Sequence, residues 1–443
     1  MTTRASRATA DAATPTAEAR SDPSIVTPAT VSTTTTSSAP THCPYRRTTD
    51  LLQRLAPGKM RIGFFVGAGC PLAIQVADGN GGTKPLIPEI AGLTRLVRQS
   101  LDGNADLSAV AKTAWERVTA RGIDTPTVED VLSHIRTLKS LCGATDIDGF
   151  AGEALKKLDR AICDCVCSLV SAPLPRSDTP YHVLASWIQA IPRDKPVEIF
   201  TTNYDLLLEQ ALEERGVPYF DGFVGSHSAF LDLESMAEDD LPPRWTRLWK
   251  IHGSINWWMT AQNKIRRSRD LVEGEQLLIY PSHLKYDQSR QMPYYAMLDR
   301  LRVFLRSDQC VLLTCGYSFG DEHINAYIGQ GLAGNPNAAC FGMVFNDRAS
   351  APKAVELAKR HANLTLLATD GAVIGTVERD WHTVIRDDNP AYQVTVAKDL
   401  VNGRTSAPAD RCKWLLGDFA ALGHFLSHQL FTRDIEQGAG DAS

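Results

Sequence analysis

The apolar run Val197-Glu198-Ile199-Phe200 passes without a break into Thr201-Thr202-Asn203-Tyr204-Asp205. The run has the length of a short buried strand. Leu206, Leu207, Leu208, Ala211 and Leu212 follow at spacings that make one apolar stripe on a helix. Short polar side chains therefore sit at the carboxyl end of a strand, just before a helix. In open α/β sheets ligands bind at that place. Thr, Asn and Asp also cap helices by accepting backbone N–H groups. One such junction does not choose between the two roles.

The same signature recurs. Arg61-Ile62-Gly63-Phe64-Phe65-Val66 runs into Gly67-Ala68-Gly69-Cys70-Pro71, the opening of a nucleotide-binding βα unit without the third glycine of a dinucleotide fingerprint, since position 72 is Leu. A tight turn after a strand explains that stretch equally well. Leu248-Trp249-Lys250-Ile251 ends in His252-Gly253, which leaves an imidazole at a strand end. Cys310 to Cys315 ends in Gly316-Tyr317-Ser318-Phe319-Gly320-Asp321, ahead of a helix through His323, Ile324, Ala326 and Tyr327. Phe341 to Phe345 ends in Asn346-Asp347. Leu364 to Leu367 precedes a helix expected near Gly371 to Val377. Capping accounts for any one of these ends but does not require a hydrogen-bonding group at every one.

Between the first two strands, residues of about 88 to 190 carry helical periodicity, as in Val128 to Leu141 and Ala151 to Val170. The expected fold is therefore α/β, a Rossmann-like parallel sheet with a helical insertion subdomain. Asp78 to Gly82 reads as a flexible loop and 226 to 244 as an acidic irregular segment. A first helix is expected from Thr48 to Leu55, another from Tyr181 to Ile191, and one from Tyr294 to Arg306 after the strand and turn Ile279-Tyr280-Pro281-Ser282. An exposed turn at Val401 to Asp410 leads into an amphipathic helix from Arg411 to Leu430, for packing on the core or on another subunit. Residues 1–45, rich in Ala, Ser, Thr and Pro, are expected to be a disordered tail, 46–390 a catalytic domain, and 391–443 a C-terminal helical segment.

Composition narrows the function. A net charge of −5 gives no electrostatic footprint for nucleic acid, and Lys264-Ile265-Arg266-Arg267 reads as a solvated loop. No run of about 18 apolar residues suggests a membrane span. The ten cysteines show no zinc-ligand spacing. Cys163, Cys165 and Cys167 read as small hydrophobes on a helix. Without a secretory signal, the expectation is reduced thiols and a cytoplasmic location.

Taken in order, Gly-Ala-Gly at 67–69, Thr-Thr-Asn-Tyr-Asp at 201–205, Lys-Ile-His-Gly-Ser at 250–254, Ile-Tyr-Pro-Ser at 279–282 and Gly-Tyr-Ser-Phe-Gly-Asp-Glu-His-Ile-Asn at 316–325 resemble the sirtuin superfamily. More narrowly, they are similar to the Sir2-like domains of bacterial anti-phage defence. The resemblance covers about residues 55 to 385. It implies NAD+ as substrate, bound across the strand ends. Gly67, Ala68 and Gly69 would then meet the pyrophosphate, with Thr202 beside the bound NAD+. Asn203 and Asp205 would meet the nicotinamide ribose and the attacking water, and His252 would be the catalytic histidine. Gly316, Ser318 and Asp321 would lie on the adenosine side, and Asn346 would read its ribose.

Two departures bear on the chemistry. Sirtuin deacylases carry a four-cysteine zinc module after the His-Gly pair, whereas Gly253 to Gln309 contains no cysteine, so neither a zinc ribbon nor a bound metal is expected. Pro71 stands where the family has Ser, and no Phe-Arg pair follows in the 72 to 100 loop. The expected reaction is NAD+ hydrolysis to nicotinamide and ADP-ribose, depleting NAD+ in defence, with a homo-oligomer or a separate partner such as an ATPase implied by the same resemblance. An NAD+-dependent deacylase or ADP-ribosyltransferase, which would turn over an acceptor, remains an alternative. So does a sensor that binds NAD+ or ADP-ribose without turnover. A dehydrogenase is disfavoured because no acid stands about 20 residues after Gly69 in a βαβ setting.

Overall fold

The computed structural model describes residues 40–440 except 57, 59, 142–145, 239–240, 269–274, 279–291, 383–389, 399, 402–403 and 406–411. Nearly all of the expected 1–45 tail, the Ile279–Ser282 segment and most of the 401–410 turn lie outside these residues.

A nine-stranded sheet forms the centre. Its order is Val377–Asp380, Gly371–Ile374, Leu364–Leu367, Ala338–Met343, Cys310–Cys315, Arg61–Val66, Glu198–Thr201, Thr246–Lys250 and Tyr219–Phe220. The pairings from Leu364–Leu367 through to Tyr219–Phe220 are all parallel, and the first two strands close that edge as antiparallel neighbours. The parallel fold expected from the repeated strand–helix junctions is therefore observed.

The inner strands are buried along almost their whole length, which is why they read as continuous apolar runs. Successive side chains enter opposite layers. Phe64, Val66, Leu313 and Cys315 join the core shared with the helices Ile90–Asp102 to Pro180–Ala190. Phe65, Cys310 and Leu312 join the core shared with the helices Tyr294–Leu305, Glu322–Gly334 and Pro352–Arg360. Glu198 breaks its apolar strand in sequence only. It is 1 % exposed, and its Oε2 accepts the Trp249 indole N–H at 2.7 Å.

Topology selects one crevice. After Arg61–Val66 the chain moves to Glu198–Thr201 on one side of it, and after Cys310–Cys315 it moves to Ala338–Met343 on the other. The strand order reverses between Arg61–Val66 and Cys310–Cys315, which are paired from Arg61–Cys310 to Val66–Cys315. The connections from their carboxyl ends lead to opposite sides of the pair, and that is where such sheets bind ligands.

Several expectations are corrected. No helix occupies Gly371 to Val377. Gly371–Ile374 and Val377–Asp380 form a hairpin whose two-residue turn, Gly375-Thr376, has φ of +55° and +71°. Two residues at positive φ suit the right-handed twist of paired strands. The expected C-terminal helix starts later, at Phe419–Gly440, because Cys412–Trp414 is a strand paired with Val396–Lys398. Trp414 belongs to that strand and stacks on Trp381 at 5.8 Å. The helix packs on this chain's core: Phe419 meets Tyr181 at 4.9 Å, and Gln429 accepts the Trp187 indole N–H at 3.2 Å. The Asp78–Gly82 loop is the tip of a hairpin, Gln75–Ala77 with Thr83–Pro85, where Asp78 accepts the N–H groups of Asn80 and Gly82. The segment 226 to 244 contains the strand Ala229–Leu231 and the helix Leu233–Ala237. That strand belongs to a second, antiparallel sheet of five strands that includes Gly253–Met259. None of the described cysteines is in a disulfide. No helix among the described residues is long and apolar enough to cross a membrane.

Candidate functional site

The two loops at the switch point interlock through glycine. Gly67 N–H donates to Cys315 O at 2.9 Å, and Gly69 N–H to Gly316 O at 2.9 Å. A Cβ on Gly67 would lie 2.3 Å from Gly316 O and 2.7 Å from Tyr317 Cα, and both atoms are backbone. Gly316 itself has φ +66°, and a Cβ there would lie 2.6 Å from Cys70 N. No rotamer change relieves a clash with backbone. We expect Gly67→Ala to lower unfolding stability by roughly 3 kcal/mol, the scale of a severe overpacking defect, measured by chemical denaturation against the exposed-site control Ala68→Ser.

Beyond these loops lies a cavity of about 1460 Å³. It exceeds the ~300–1,000 Å³ usual for small-ligand pockets and so admits an extended ligand. Ala68, Gly69, Thr202, Asn203, Asp205, His252, Gly316, Ser318, Asp321 and Asn346 all border it. Gly67 sits one residue behind, as the buttress against Gly316. Ten of the eleven residues singled out by sequence thus converge on one hollow. A smaller hollow of about 460 Å³ lies among Arg54, Asn337 and Ala338, at the amino end of the strand Ala338–Met343. That is the opposite end of the sheet from the switch-point loops.

Asn203 is held from both sides. Its backbone N–H donates to Thr201 Oγ1 at 3.0 Å, and that hydroxyl donates to Val66 O at 2.7 Å. Its Nδ2 donates to Gly67 O at 3.1 Å. A carbonyl acceptor requires the nitrogen of the amide there, which fixes the orientation of the amide. Oδ1 is buried and left without a hydrogen-bond partner. An acceptor in that condition at a cavity wall calls for a donor from a ligand or water.

His252 occupies the turn between Thr246–Lys250 and Gly253–Met259. It is 2 % exposed, and Gly253 at φ +87° makes the turn. Its ring stacks on that of His323, with centroids 5.7 Å apart and planes 25° from parallel. His323 also borders the cavity. It lies in the 316–325 motif but carries no signal in the sequence that separates it from a helix-face histidine.

Asp205 has a structural duty as well as a place in the wall. Its Oδ1 accepts the Leu207 N–H at 3.1 Å. Burial raises its carboxyl above the usual range, with Lys250 opposing the shift. A carboxyl raised on folding is most stabilising in its protonated form, and that stability is lost as pH rises from the unfolded value through the folded one. Asp205→Asn keeps an acceptor for Leu207 and removes the buried charge. We expect an unchanged or higher melting temperature at neutral pH by circular dichroism; a fall in turnover in the same variant would then report chemistry.

On the far side, Ser318 Oγ accepts the Gly320 N–H at 3.2 Å, and Asp321 precedes the helix Glu322–Gly334. Phe319 between them is fully buried at φ +55°, uncommon for a bulky residue. Asn325 holds this loop: its Nδ2 donates to Phe319 O at 2.7 Å, and its Oδ1 accepts the Tyr317 hydroxyl at 2.9 Å. Asn346 O accepts the Thr369 N–H at 3.1 Å, which leaves its side chain at the exposed rim.

The remaining wall was not foreseen. Glu129 and Asp130 come from the start of the helix Val128–Leu141, where Thr127 and Asp130 form a reciprocal cap. Asp418 and Phe419 come from the C-terminal segment, and Lys353 and Glu322 pair at the rim at 2.8 Å. Acids outnumber cations around the hollow. Among the described residues no group of three or more His, Cys, Asp or Glu could hold a metal ion.

Residues 197–367 match the family model described as a SIR2-like domain. That span contains Asn203, Asp205, His252 and the 316–325 motif. No curated protein matches the chain. A solved structure described as "Structural Basis for the Mechanism and Regulation of Sir2 Enzymes" is 11 % identical, covering 70 % of this chain and 88 % of that one at a TM-score of 0.31.

Proposed function

We propose that this protein hydrolyses the nicotinamide–ribose bond of NAD+, releasing nicotinamide and ADP-ribose. The observation that carries the reading is Asn203: its amide is locked onto Gly67 O, its buried Oδ1 has no partner within the protein, and the residue borders the same cavity as His252. The SIR2-like match over this half of the site supports it.

The chemistry asks little of a leaving-group acid. Nicotinamide departs neutral, because the pair of electrons in the C1′–N bond goes to a positively charged ring nitrogen. The ribose passes through an oxocarbenium-like state, as in glycoside hydrolysis. Asn203 Oδ1 accepts a hydrogen bond from the water or from a ribose hydroxyl and so fixes its position. The water oxygen bonds to C1′, and its proton passes to His252 and then to solvent. The Gly67 and Gly69 N–H groups are taken by Cys315 O and Gly316 O, so the glycine loops serve the pyrophosphate by letting the backbone pass close to it without a side chain in the way. The excess of acids in the wall, Glu129 among them, favours positive charge developing on the sugar.

The cavity exceeds what a compact ligand needs, which suits a dinucleotide. Depletion of NAD+ in defence, with self-assembly or a partner such as an ATPase, extends the reading on the strength of the motif resemblance. The test is incubation of the purified chain with NAD+ alone, then chromatography. Equimolar nicotinamide and ADP-ribose are expected. Unchanged NAD+ despite measurable binding would favour a sensor. Turnover only with an acylated peptide would favour a deacylase.

A further inference from the structure

Lys250 is the unusual residue beneath the site. It lies in the central sheet, is 1 % exposed, and ends the strand that leads into His252. Its Nζ donates to Glu209 Oε1 at 2.8 Å, to Ser254 Oγ at 2.8 Å, to Tyr204 O at 3.3 Å and to Asp205 O. Two of these acceptors are the backbone carbonyls that follow Asn203. Tyr204 O takes two more donors from the other loop: Ile255 N–H at 3.1 Å and Ser254 Oγ at 3.4 Å. Thr201 O accepts the Ile251 N–H at 2.8 Å. The loop carrying Asn203 and the turn carrying His252 are therefore tied together, and the ammonium is the knot.

A buried ion pair of this kind is weak evidence for stability. Replacing a buried ion pair with apolar groups is often neutral or stabilising, whereas removing one partner leaves a stranded charge. Burial raises the Glu209 carboxyl above its usual range, with Lys250 opposing the shift. We infer that Lys250 is a positioning residue: its ammonium holds the Tyr204 and Asp205 carbonyls turned down into the protein, so that Asn203 and His252 keep one mutual geometry. This rests on the reading of the cavity as a glycosyl-cleaving site. A displacement of about 1 Å in such a pair costs up to ~100-fold in rate, and binding of the ligand elsewhere in the cavity need not change.

Two variants separate positioning from simple ion-pair stability. Lys250→Met/Glu209→Gln removes both members of the ion pair, and the buried Asp205 carboxyl, which loses the cation opposing its upward shift, is left to its protonated form. It is expected to lower kcat about 10- to 100-fold with KM within about threefold of wild type. Glu209→Gln alone leaves the ammonium without its carboxylate, at a cost to stability, but keeps Lys250 on both carbonyls and on Ser254, and is expected to hold kcat within about threefold. A folded double variant with wild-type kcat overturns the inference. So does Glu209→Gln losing as much kcat as the double variant. Amide exchange supplies a readout that needs no turnover. In the double variant, exchange across 202–206 should rise at least about tenfold relative to the strand Cys310–Cys315; equal protection overturns the inference. If the double variant does not fold, Lys250→Gln/Glu209→Gln, neutral at both positions and with a shorter side chain carrying two N–H groups at position 250, is compared in the same two assays, and wild-type kcat with wild-type protection across 202–206 overturns the inference. If the wild-type chain releases no nicotinamide, the hydrolase reading fails by itself, and the exchange contrast still decides whether Lys250 holds the loop.

Discussion

Asn203→Ala is expected to lower kcat for nicotinamide release by about 100- to 1,000-fold, the usual effect of deleting one preorganised polar group aimed at the reacting centre. The substitution removes the Oδ1 acceptor and the Nδ2 bond to Gly67 O together. The stability loss should be only about 1 kcal/mol, the net worth of one hydrogen bond, because Thr201 still caps the Asn203 backbone and still bonds Val66 O. Asn203→Asp sharpens the test. It preserves size but places a carboxylate oxygen against the Gly67 carbonyl, where no donor remains. It should be nearly as inactive as the alanine variant, and less stable. Steady-state kinetics with a urea melt distinguish these outcomes, and a folded Asn203→Ala variant with wild-type turnover would remove Asn203 from the chemistry.

His252→Ala should cost about 100- to 10,000-fold in kcat, the range for loss of a general base. Alanine leaves a hole beside His323, so His252→Gln is the better comparison. The amide fills similar space and hydrogen-bonds but does not take up a proton near neutral pH. If His252 accepts the water proton, His252→Gln loses kcat as His252→Ala does, with KM little changed. Wild-type kcat in His252→Gln together with its loss in His323→Gln would assign the base to the stacked partner instead. The two rings are close enough, at 5.7 Å, for that comparison to be necessary.

Much of this arrangement can be read in the residues. Each strand–loop–helix junction is a local pattern: an apolar run, then small or polar residues, then an apolar stripe. Asn203, His252 and Ser318 are visible for that reason, and parallel topology follows from the repetition. What stayed hidden depends on contacts between distant segments. Nothing near Gly67 indicates that its missing Cβ matters because of Gly316. Lys250 looks like an interruption in an apolar strand until Tyr204 and Asp205 are placed above it. Glu129 and Asp418 border the hollow only because the helical insertion and the C-terminal helix fold onto the same layer.

Local patterns also misled where two structures share one composition. Gly371-Ala372-Val373-Ile374 suits a buried helix as well as a strand, and the positive φ values at Gly375 and Thr376 decide for the hairpin. Thr376 is a poor residue for that conformation, so a turn rule keyed to Asn-Gly or Asp-Gly passes over it. Trp414 fell into a plausible helical stripe, yet it belongs to a strand of three residues, Cys412–Trp414. The second sheet is built from strands such as Phe223–Val224 and Ile265–Arg267, too short for alternation to register.

The glycine contact at the head of the crevice ties the exits of two strands to each other. A methyl group on Gly67 runs into the main chain at Gly316 and Tyr317, and one on Gly316 runs into the main chain at Gly69 and Cys70. The two exits therefore form one rigid joint, and the polar residues displayed on either side of the hollow inherit a fixed separation from it.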